Sequence, residues 1–351
     1  MADTFPTVVR VAAVQATPVF LDLEATLDLA CARIEEAGRN GARLAVFPEG
    51  FLPSYPFWSW FIPPYRTMEL RELYDALLRE SVTVPGPVVD RLGHAARAAG
   101  VTVVMGVNER NTEASGTTLY NSLLFIGSDG RLLGKHRKLV PTVAERLVHG
   151  LGDASGLAVY DLDIGRLGGL ICWENYMPLA RWALYAGGVQ IHVAPTWDRG
   201  EPWISTLRHI AKEGRVFVIG CCSPVHRDDV PDSYAFKTAH LPDAAWINPG
   251  GSTIIDPDGR FLVEPVTERE DILYADLDMG SLRGSRFQLD VAGHYGRPDV
   301  FEVTMHTDAR PMVRGGVALV DGRSTLEDAS ESGEVDRGHT SVTTSASTDR
   351  R

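Results

Sequence analysis

The sequence predicts an α/β protein in which helices cover mixed β-sheets. Short apolar runs typical of strands alternate with segments of helical periodicity, as expected for sheets that carry helices on their faces. Three tight hairpin signals interrupt this alternation. Because a hairpin joins antiparallel strands, the sheets cannot be purely parallel.

The first half of the chain alternates strands and helices. Strands are predicted at 10–16, 43–49 and 101–109, and helices at 23–42, 66–80 and 87–99. The helical spacing of the first helix ends at Gly41. Two further strands flank the turn Ser128-Asp129-Gly130 within the segment 119–140, which predicts the first hairpin.

The second half repeats this alternation and then loses it. A hairpin is predicted at 157–172, a helix at 177–187, a strand at 189–195, a helix at 201–214, a strand at 216–224 and a last hairpin at 251–265, turning at Asp256-Pro257-Asp258-Gly259. From about residue 307 the pattern weakens, and 324–351 has almost no large apolar side chains. Such a segment cannot bury enough surface to offset its ordering entropy. We therefore predict one folded domain over residues 1–306 and a largely disordered C-terminal tail over 307–351.

Composition argues against several classes of function. The 351 residues carry a formal net charge of -12, whereas a nucleic-acid surface needs clustered Lys and Arg. No apolar run approaches the ~20 residues that span a bilayer, and the first residues lack the pattern of a signal peptide. Four cysteines argue against a disulfide framework and favour a reducing cytoplasm. Cys221 and Cys222 are interpreted as packing residues, because they lack the spacing of metal ligands.

Cys172 stands where an apolar strand ends and a helix begins, in the stretch GGLICWENYMP. It is either a small packing residue or a thiol presented for chemistry. Asn175 and Pro178 resemble the cap and first turn of a helix. Unpaired N–H groups at a helix N-terminus lower the pKa of a nearby thiol toward the reactive thiolate. At this point both interpretations stay open.

A nucleophilic thiol also needs a base and a group that stabilises negative charge. Glu49 ends one apolar strand and Lys138 ends another. Both lie, like Cys172, at the carboxyl end of a strand, where open α/β folds gather their active-site groups. The alternative for Glu49 and Lys138 is a salt bridge at a sheet edge.

Three segments together resemble the nitrilase superfamily of carbon–nitrogen hydrolases. They are VFPEGF with Glu49, GKHRKLVPT with Lys138 and LICWENYMPLAR with Cys172, within a resemblance over about residues 8–305. PTVAERLVHGLGD (141–153) and DVAGHYGRPDVF (290–301) are similar to segments of the true nitrilase branch. His149 departs from that branch, in which an aromatic residue commonly precedes the first of these glycines, and so leaves the substrate range open.

The resemblance implies a four-layer α-β-β-α sandwich of two mixed β-sheets that hydrolyses a nitrile to the carboxylic acid and ammonia. Cys172 would attack the nitrile carbon, with Glu49 as general base. Lys138 and a backbone N–H near Trp173 would stabilise charge on nitrogen, and Glu145 would position substrate or water. The expected partners are a small-molecule nitrile and water, with no metal or organic cofactor. The resemblance also implies homo-oligomers, either dimers or larger spirals.

Aromatic side chains are candidates for the walls of the substrate site: Tyr55, Trp58, Trp173 and Trp197. The first two follow Glu49 in the run YPFWSWFIPPY, and Trp197 follows another strand end. Ordinary core packing is the alternative for these aromatic residues. Glu174 is interpreted as a structural residue at the helix start, and His136 as a residue that orients or packs near the lysine.

Two other functions stay open. An amidase or carbamoyl hydrolase would use the same fold and the same Glu-Lys-Cys triad. A non-catalytic interaction protein would keep the fold alone, and the intact Glu49, Lys138 and Cys172 argue against it. Release of ammonia from nitriles or from amides would separate the two enzymes.

Overall fold

The computed structural model of the protein describes residues 7–113 and 115–309. Within these ranges, strands form two β-sheets that helices cover. The strands are β1 (Val8–Gln15), β2 (Leu44–Val46), β3 (Thr102–Arg110), β4 (Leu119–Ile126), β5 (Leu132–Arg137), β6 (Tyr160–Leu162), β7 (Gly165–Gly169), β8 (Ile191–Thr196), β9 (Phe217–Cys222), β10 (Pro224–His226), β11 (Trp246–Ile255), β12 (Phe261–Thr267) and β13 (Asp271–Asp278). The α-helices are α1 (Leu23–Arg39), α2 (Thr67–Arg79), α3 (Pro87–Ala99), α4 (Pro178–Ala186), α5 (Glu201–Gly214), α6 (Phe236–Ala239) and α7 (Ser281–Gln288). Short 3₁₀ helices lie at Phe57–Trp60, Val143–Leu147, Ala154–Gly156, Cys172–Tyr176 and Arg227–Asp229.

Both sheets are mixed, as the hairpin signals predict. The first has the strand order β13-β1-β2-β3-β4-β5, in which β1, β2 and β3 run parallel and the outer pairs are antiparallel. The second has the order β10-β11-β9-β8-β7-β6, with β12 paired to β11. Its strands β7, β8 and β9 run parallel. Each sheet therefore brings the carboxyl ends of three parallel strands to one edge.

The buried side chains confirm the predicted four-layer α-β-β-α sandwich. One apolar cluster lies between the two sheets and joins Val11 and Val46 of the first to Val193 and Ile219 of the second. Successive residues of a strand point to opposite faces, so their neighbours along each strand face outward. In the first sheet Ala12 belongs to a different cluster, which packs against α1 and α3.

The outer layers bury the apolar faces of the helices. On the first sheet the packed helix residues are Leu27, Ala30 and Ile34 of α1 and Val89 and Leu92 of α3. On the second sheet they are Ala180 and Leu184 of α4 and Trp203, Leu207 and Ile210 of α5. Spacings of three and four residues along each helix place these side chains on one face.

The sequence pattern predicts no element after residue 265, yet β13 and α7 follow. β13 carries aspartate at 271, 276 and 278, and aspartate is depleted in strands, so its sequence signal is weak. It forms at the sheet edge because it pairs with β1 over eight residues. The predicted tail at 307–351 lies outside the described residues from 310 onward. In the described part no helix has both the length and the apolar character needed to span a membrane.

Candidate active site

Four strand ends deliver the candidate side chains to one region. Glu49 follows β2 and Lys138 follows β5, both in the first sheet. Cys172 follows β7 and Trp197 follows β8, both in the second sheet. The backbone N–H of Trp197 donates to Glu49 Oε2 at 2.7 Å, so the two sheets meet directly at this site.

Lys138 forms ion pairs with two carboxylates in the protein interior. Its Nζ lies 2.7 Å from Glu49 Oε1 and 3.0 and 2.8 Å from the two carboxylate oxygens of Glu145. All three side chains are at most 1% exposed. Burial alone would lower the pKa of Lys138, but the charges of Glu49 and Glu145 raise it above its usual value. The lysine is therefore a fixed cation at neutral pH.

Glu49 is held by three hydrogen-bond donors. Its Oε1 also accepts from Asn121 Nδ2 at 2.7 Å, and its Oε2 accepts the N–H of Trp197. Burial raises the pKa of Glu49, Lys138 opposes that rise, and the charge of Glu145 adds to it. The resulting pKa is about 7. A carboxylate with this pKa exchanges a proton near neutral pH, which is what a general base requires.

Glu145 lies on the 3₁₀ helix Val143–Leu147, where its carboxylate is locked in place. Its Oε2 accepts the backbone N–H of Thr142 at 2.9 Å, and its Oε1 accepts Tyr55 Oη–H at 2.6 Å. Trp60 Nε1 in turn donates to the Tyr55 hydroxyl at 3.0 Å. Burial would raise the pKa of Glu145, but Lys138 lowers it below the usual range. Of the two carboxylates that contact Lys138, Glu49 thus has a raised pKa and Glu145 a lowered one.

Cys172 begins a 3₁₀ helix with a backbone φ of 51°, in the left-handed region that few residues other than glycine adopt. Asn175 Nδ2 holds this turn by donating to the carbonyls of Leu170 and Cys172, each at 2.9 Å. Thr196 Oγ1 donates to Cys172 Sγ at 3.1 Å. Strained backbone of this kind persists where surrounding contacts fix it, and it clusters at functional sites.

Two expectations about this turn are wrong. The side chain of Asn175 does not cap a helix, because α4 begins at Pro178 and its cap residue Met177 makes no side-chain cap bond. Burial, reinforced by the charge of Glu49, raises the pKa of the Cys172 thiol far above its usual value instead of lowering it. Cys172 is 3% exposed, so its thiolate would lose most of the hydration that stabilises it in solution. This loss outweighs the stabilisation that a short helix terminus gives to a negative charge.

Glu174 connects the turn of Cys172 to the strand of Lys138. Its carboxylate accepts His136 Nε2 at 2.9 Å, the N–H of Leu139 at 2.8 Å and the N–H of Ile171 at 2.9 Å. These contacts agree with its interpretation as a structural residue, and they place His136 beside it. The two loops that carry the lysine and the cysteine are therefore bound to one buried carboxylate.

A cavity of about 480 Å³ opens onto this cluster. Its lining residues are Tyr55, Trp60, Phe61, Thr142, Glu145, Cys172, Trp173, Trp197, Asp198 and Arg199. Trp58 is not among them, although the sequence analysis proposes it as a wall. It is 1% exposed and packs in an aromatic cluster with Phe57 and Phe236. The 3₁₀ turn Phe57–Trp60 directs Trp58 inward and presents Trp60 to the cavity.

The other proposed aromatic walls are fixed by their neighbours. The ring of Trp197 stacks on Tyr55 at 4.7 Å and on Phe57 at 5.4 Å between centroids. Trp173 is 46% exposed, and its Nε1 donates to Asp198 Oδ2 at 2.8 Å. The cavity thus has aromatic walls and a mouth near Asp198.

Several residues of the site are not predicted from the sequence. Trp60 and Phe61 lie in the same aromatic run as Tyr55, so the run itself is the signal for them. Asp198 directly follows Trp197 at a strand end, which is a weaker signal. Asn121 lies within β4, and nothing in the sequence separates it from other residues of that strand.

His149 lies behind the cavity, where it supports the loop that follows Glu49. Its Nε2 lies 2.9 Å from Asn108 Oδ1, and Asn108 Nδ2 donates to the Ser54 carbonyl at 2.9 Å. Because that Oδ1 only accepts, Nε2 of His149 must carry a hydrogen. Burial, with a contribution from Lys138, lowers the pKa of His149 to about 4. In the described ranges no group of three or more His, Cys, Asp or Glu side chains is arranged to hold a metal ion.

Comparisons with known proteins agree with this geometry. A family model for carbon-nitrogen hydrolases matches residues 10–287. The chain is 43% identical over 306 residues to an aliphatic nitrilase of Sinorhizobium fredii (strain HH103), across 87% of this chain and 97% of that protein. It is 42% identical over 313 residues to Nitrilase 1 of Arabidopsis thaliana, across 88% and 89%. It is 43% identical over 306 residues to the bifunctional nitrilase/nitrile hydratase NIT4B of Nicotiana tabacum, across 86% and 87%.

The fold is also found among solved structures. Saccharomyces cerevisiae Nit3, a member of branch 10 of the nitrilase superfamily, superposes with a TM-score of 0.66 at 22% identity, across 84% of this chain and 98% of that one. A carbon-nitrogen hydrolase from Helicobacter pylori G27 superposes with a TM-score of 0.63. These likenesses support the fold, and the sequence relatives support the resemblance seen in the motifs. The chain therefore belongs to the carbon-nitrogen hydrolase family.

Proposed function

We propose that this protein is a nitrilase that converts an organic nitrile and water to the carboxylic acid and ammonia. One observation carries the proposal: a buried cysteine lines a cavity together with Glu145, one of the two carboxylates that hold the buried Lys138 between them. This arrangement supplies a nucleophile, a base and a fixed positive charge, which are the groups that addition to a nitrile carbon needs. Identity of 42–44% to proteins named nitrilases supports the same substrate class.

In the first step Cys172 Sγ attacks the nitrile carbon. The C–S bond forms while the thiol proton passes to Glu49, which delivers it to nitrogen and leaves a covalent thioimidate. The raised pKa of Cys172 means that no stable thiolate waits in the resting enzyme, so attack and proton transfer belong to one step. Lys138 and the backbone N–H of Trp173 stabilise charge on nitrogen, and one such preorganised donor contributes roughly 3 kcal/mol.

In the second step water adds to the thioimidate and gives a tetrahedral intermediate. If nitrogen is protonated, the C–N bond breaks, ammonia leaves and a thioester remains. A second water, activated by Glu49 and positioned by Glu145, then releases the acid and restores the thiol of Cys172. If the C–S bond breaks first, the product is an amide. We propose mainly acid, because Glu49, deprotonated after the first step, takes a proton from the added water and passes it to nitrogen, which then leaves as ammonia.

The rival is an amidase or carbamoyl hydrolase built on the same groups. The test is a panel of matched pairs in which each nitrile is assayed beside the amide with the same substituent. Ammonia release is measured, and acid and amide are separated by chromatography. We expect turnover of nitriles with acid as the main product and none in the Cys172→Ala variant. Turnover of the amides without turnover of the nitriles would replace this proposal with the rival.

We also propose which residues contact the substrate, where the protein acts and how it assembles. Tyr55, Trp173 and Trp197 contact the substrate, with Trp60 in the place first assigned to Trp58. The protein acts in the cytoplasm as a homo-oligomer, either a dimer or a larger spiral. Size-exclusion chromatography with light scattering tests the assembly, and a monomer at working concentration would contradict it.

A further inference from the structure

The hydroxyl of Thr196 contacts the sulfur of Cys172. Thr196 is the last residue of β8, is 1% exposed, and places Oγ1 3.1 Å from Sγ. We propose that Thr196 is a further catalytic residue, which donates a hydrogen bond to this sulfur whenever the sulfur carries negative charge. This inference rests on the proposed function, in which Cys172 is the nucleophile.

The direction of the hydrogen bond follows from a second contact of the same hydroxyl. Thr196 Oγ1 accepts the backbone N–H of Asp198 at 2.8 Å. A hydroxyl has one hydrogen and two lone pairs; the Asp198 N–H occupies one lone pair, and Cys172 Sγ is the acceptor that the hydrogen reaches. Once Glu49 has taken the thiol proton, the sulfur has nothing left to donate and only accepts. The Thr196 hydroxyl is therefore already oriented before the reaction begins.

The surroundings of the sulfur make this donor important. Cys172 is 3% exposed, so water does not hydrate a negative sulfur as it would in solution. Lys138 is already bound by both carboxylates. Among the described residues, Thr196 is the hydrogen-bond donor in contact with Sγ. Hydrogen bonds to charged groups are stronger than those between neutral groups, and more so in a site that excludes water.

The hydroxyl acts wherever the C–S bond forms or breaks. Sulfur is negative during attack on the nitrile, during release of the acid from the thioester, and on the branch that expels sulfur and yields an amide. On the branch to the thioester the C–N bond breaks instead, and sulfur stays bonded to carbon. A donor at sulfur therefore favours the amide branch over the ammonia branch, so the hydroxyl influences the product ratio as well as the rate.

The test compares Thr196→Val, which replaces the hydroxyl with a methyl group of similar size, with Thr196→Ser, which keeps the hydroxyl. For the valine variant we expect kcat/KM about 10- to 100-fold lower, the range for loss of one hydrogen bond to a charged group. We also expect a smaller amide fraction and slower alkylation of Cys172 by iodoacetamide, with the pH dependence of that alkylation moved to higher pH. The serine variant should stay within about threefold of the parent, well inside the effect expected of the valine change.

Peptide mass spectrometry resolves alkylation of Cys172 from that of Cys31, Cys221 and Cys222, and Cys172→Ala gives the background. Full turnover by Cys172→Ala would defeat the proposed function itself. If turnover needs Cys172 but the valine variant matches the parent in alkylation, rate and amide fraction, the inference about Thr196 is overturned while the proposed function stands. If the valine variant does not fold, Thr196→Ala takes its place with the same expectations, because it also lacks the hydroxyl and is smaller.

Discussion

Glu49 Oε1 and Lys138 Nζ lie 2.7 Å apart, although 89 residues separate them in the chain and neither side chain is exposed. The charge of each group stabilises the charge of the other, since an isolated ion in the protein interior is strongly disfavoured. Glu145 completes the arrangement with a second carboxylate on the same ammonium.

Cys172→Ala should abolish turnover and leave the protein folded. Alanine removes the nucleophile and little volume, and Asn175 still holds the backbone of the turn. The measurement is ammonia release together with circular dichroism. More than trace activity in this variant would remove the cysteine from the mechanism.

Glu49→Gln and Lys138→Ala should each be nearly as damaging as loss of the cysteine. Groups that act as a unit are strongly non-additive, so the double variant should be little worse than either single variant. Lys138→Ala also leaves two buried carboxylates without their cation, which typically costs about 3–5 kcal/mol of stability. Thermal melting must accompany the kinetics for this reason. A double variant whose losses multiply would show that the two residues act independently.

Activity should fall on the acidic side of neutrality. The pKa of Glu49 is raised to about 7, and only its unprotonated form accepts the thiol proton. Below that pH the fraction of active base falls about tenfold per pH unit. The measurement is kcat/KM between about pH 5 and 8, with the fold monitored at each pH. A profile that stays flat down to pH 5 would exclude Glu49 as the base.

Stability should also fall in acid, through the buried histidines. Burial lowers the pKa of His149 to about 4 and that of His192 to about 3, below the usual value of 6.5. Between those values the two histidines bind protons in the unfolded chain but not in the folded chain, so their contribution to stability is lost as the pH falls from about 6.5 toward 4. Glu49, whose pKa is raised, contributes in the opposite sense over the same range. For His149 the shift corresponds to about 3 kcal/mol.

Urea unfolding at several pH values tests the histidine prediction. His149→Gln keeps a donor for Asn108 but cannot be protonated, so the free energy of unfolding should depend less on pH across this window. His94→Gln, at an exposed position, is the matched control. An unchanged pH dependence in His149→Gln would contradict the assignment.

Deletion of residues 321–351 should cost little stability, because this part of the chain offers almost no large apolar side chains to a core. Deletion from His294 onward should be severe, since GHYGRPDVF is largely exposed in the single chain and combines aromatic, Arg and Pro residues as an ordered segment at a subunit contact does. Thermal melting of both truncations measures this. A fall of more than about 4 °C in the shorter deletion, or roughly 2.5 kcal/mol for a domain of this size, would show that the tail stabilises the fold.

The sequence predicts regular elements well where periodicity is strong. α5 has the bounds that the pattern predicts, 201–214, because its apolar residues recur at helical spacing. The strand β13 is not predicted, because its aspartates weaken the local strand signal and it is stabilised by pairing with β1. Local patterns carry no information about distant partners, and edge strands depend on such partners.

In the candidate site, too, some features can be predicted from the local sequence and others depend on the fold. Glu49, Lys138 and Cys172 are found from their motifs, because each follows a strand and has an unusual residue type for its place. The pKa of Cys172 is predicted in the wrong direction, because helix position is visible in a sequence and the depth of burial is not. Thr196 is missed for a related reason: a threonine at a strand end is ordinary until its hydroxyl is seen beside the sulfur.

The hydrogen bond from the Trp197 N–H to Glu49 Oε2 joins groups that belong to different sheets. Base and nucleophile therefore have no common backbone segment to hold them together. Their alignment depends on the apolar cluster between the sheets, to which Val46 and Val193 belong. A displacement of about 1 Å between reacting groups lowers rates roughly a hundredfold. The catalytic rate in this protein is thus sensitive to small shifts of one sheet relative to the other. Conditions that loosen the packing between the sheets should therefore abolish activity before the chain unfolds.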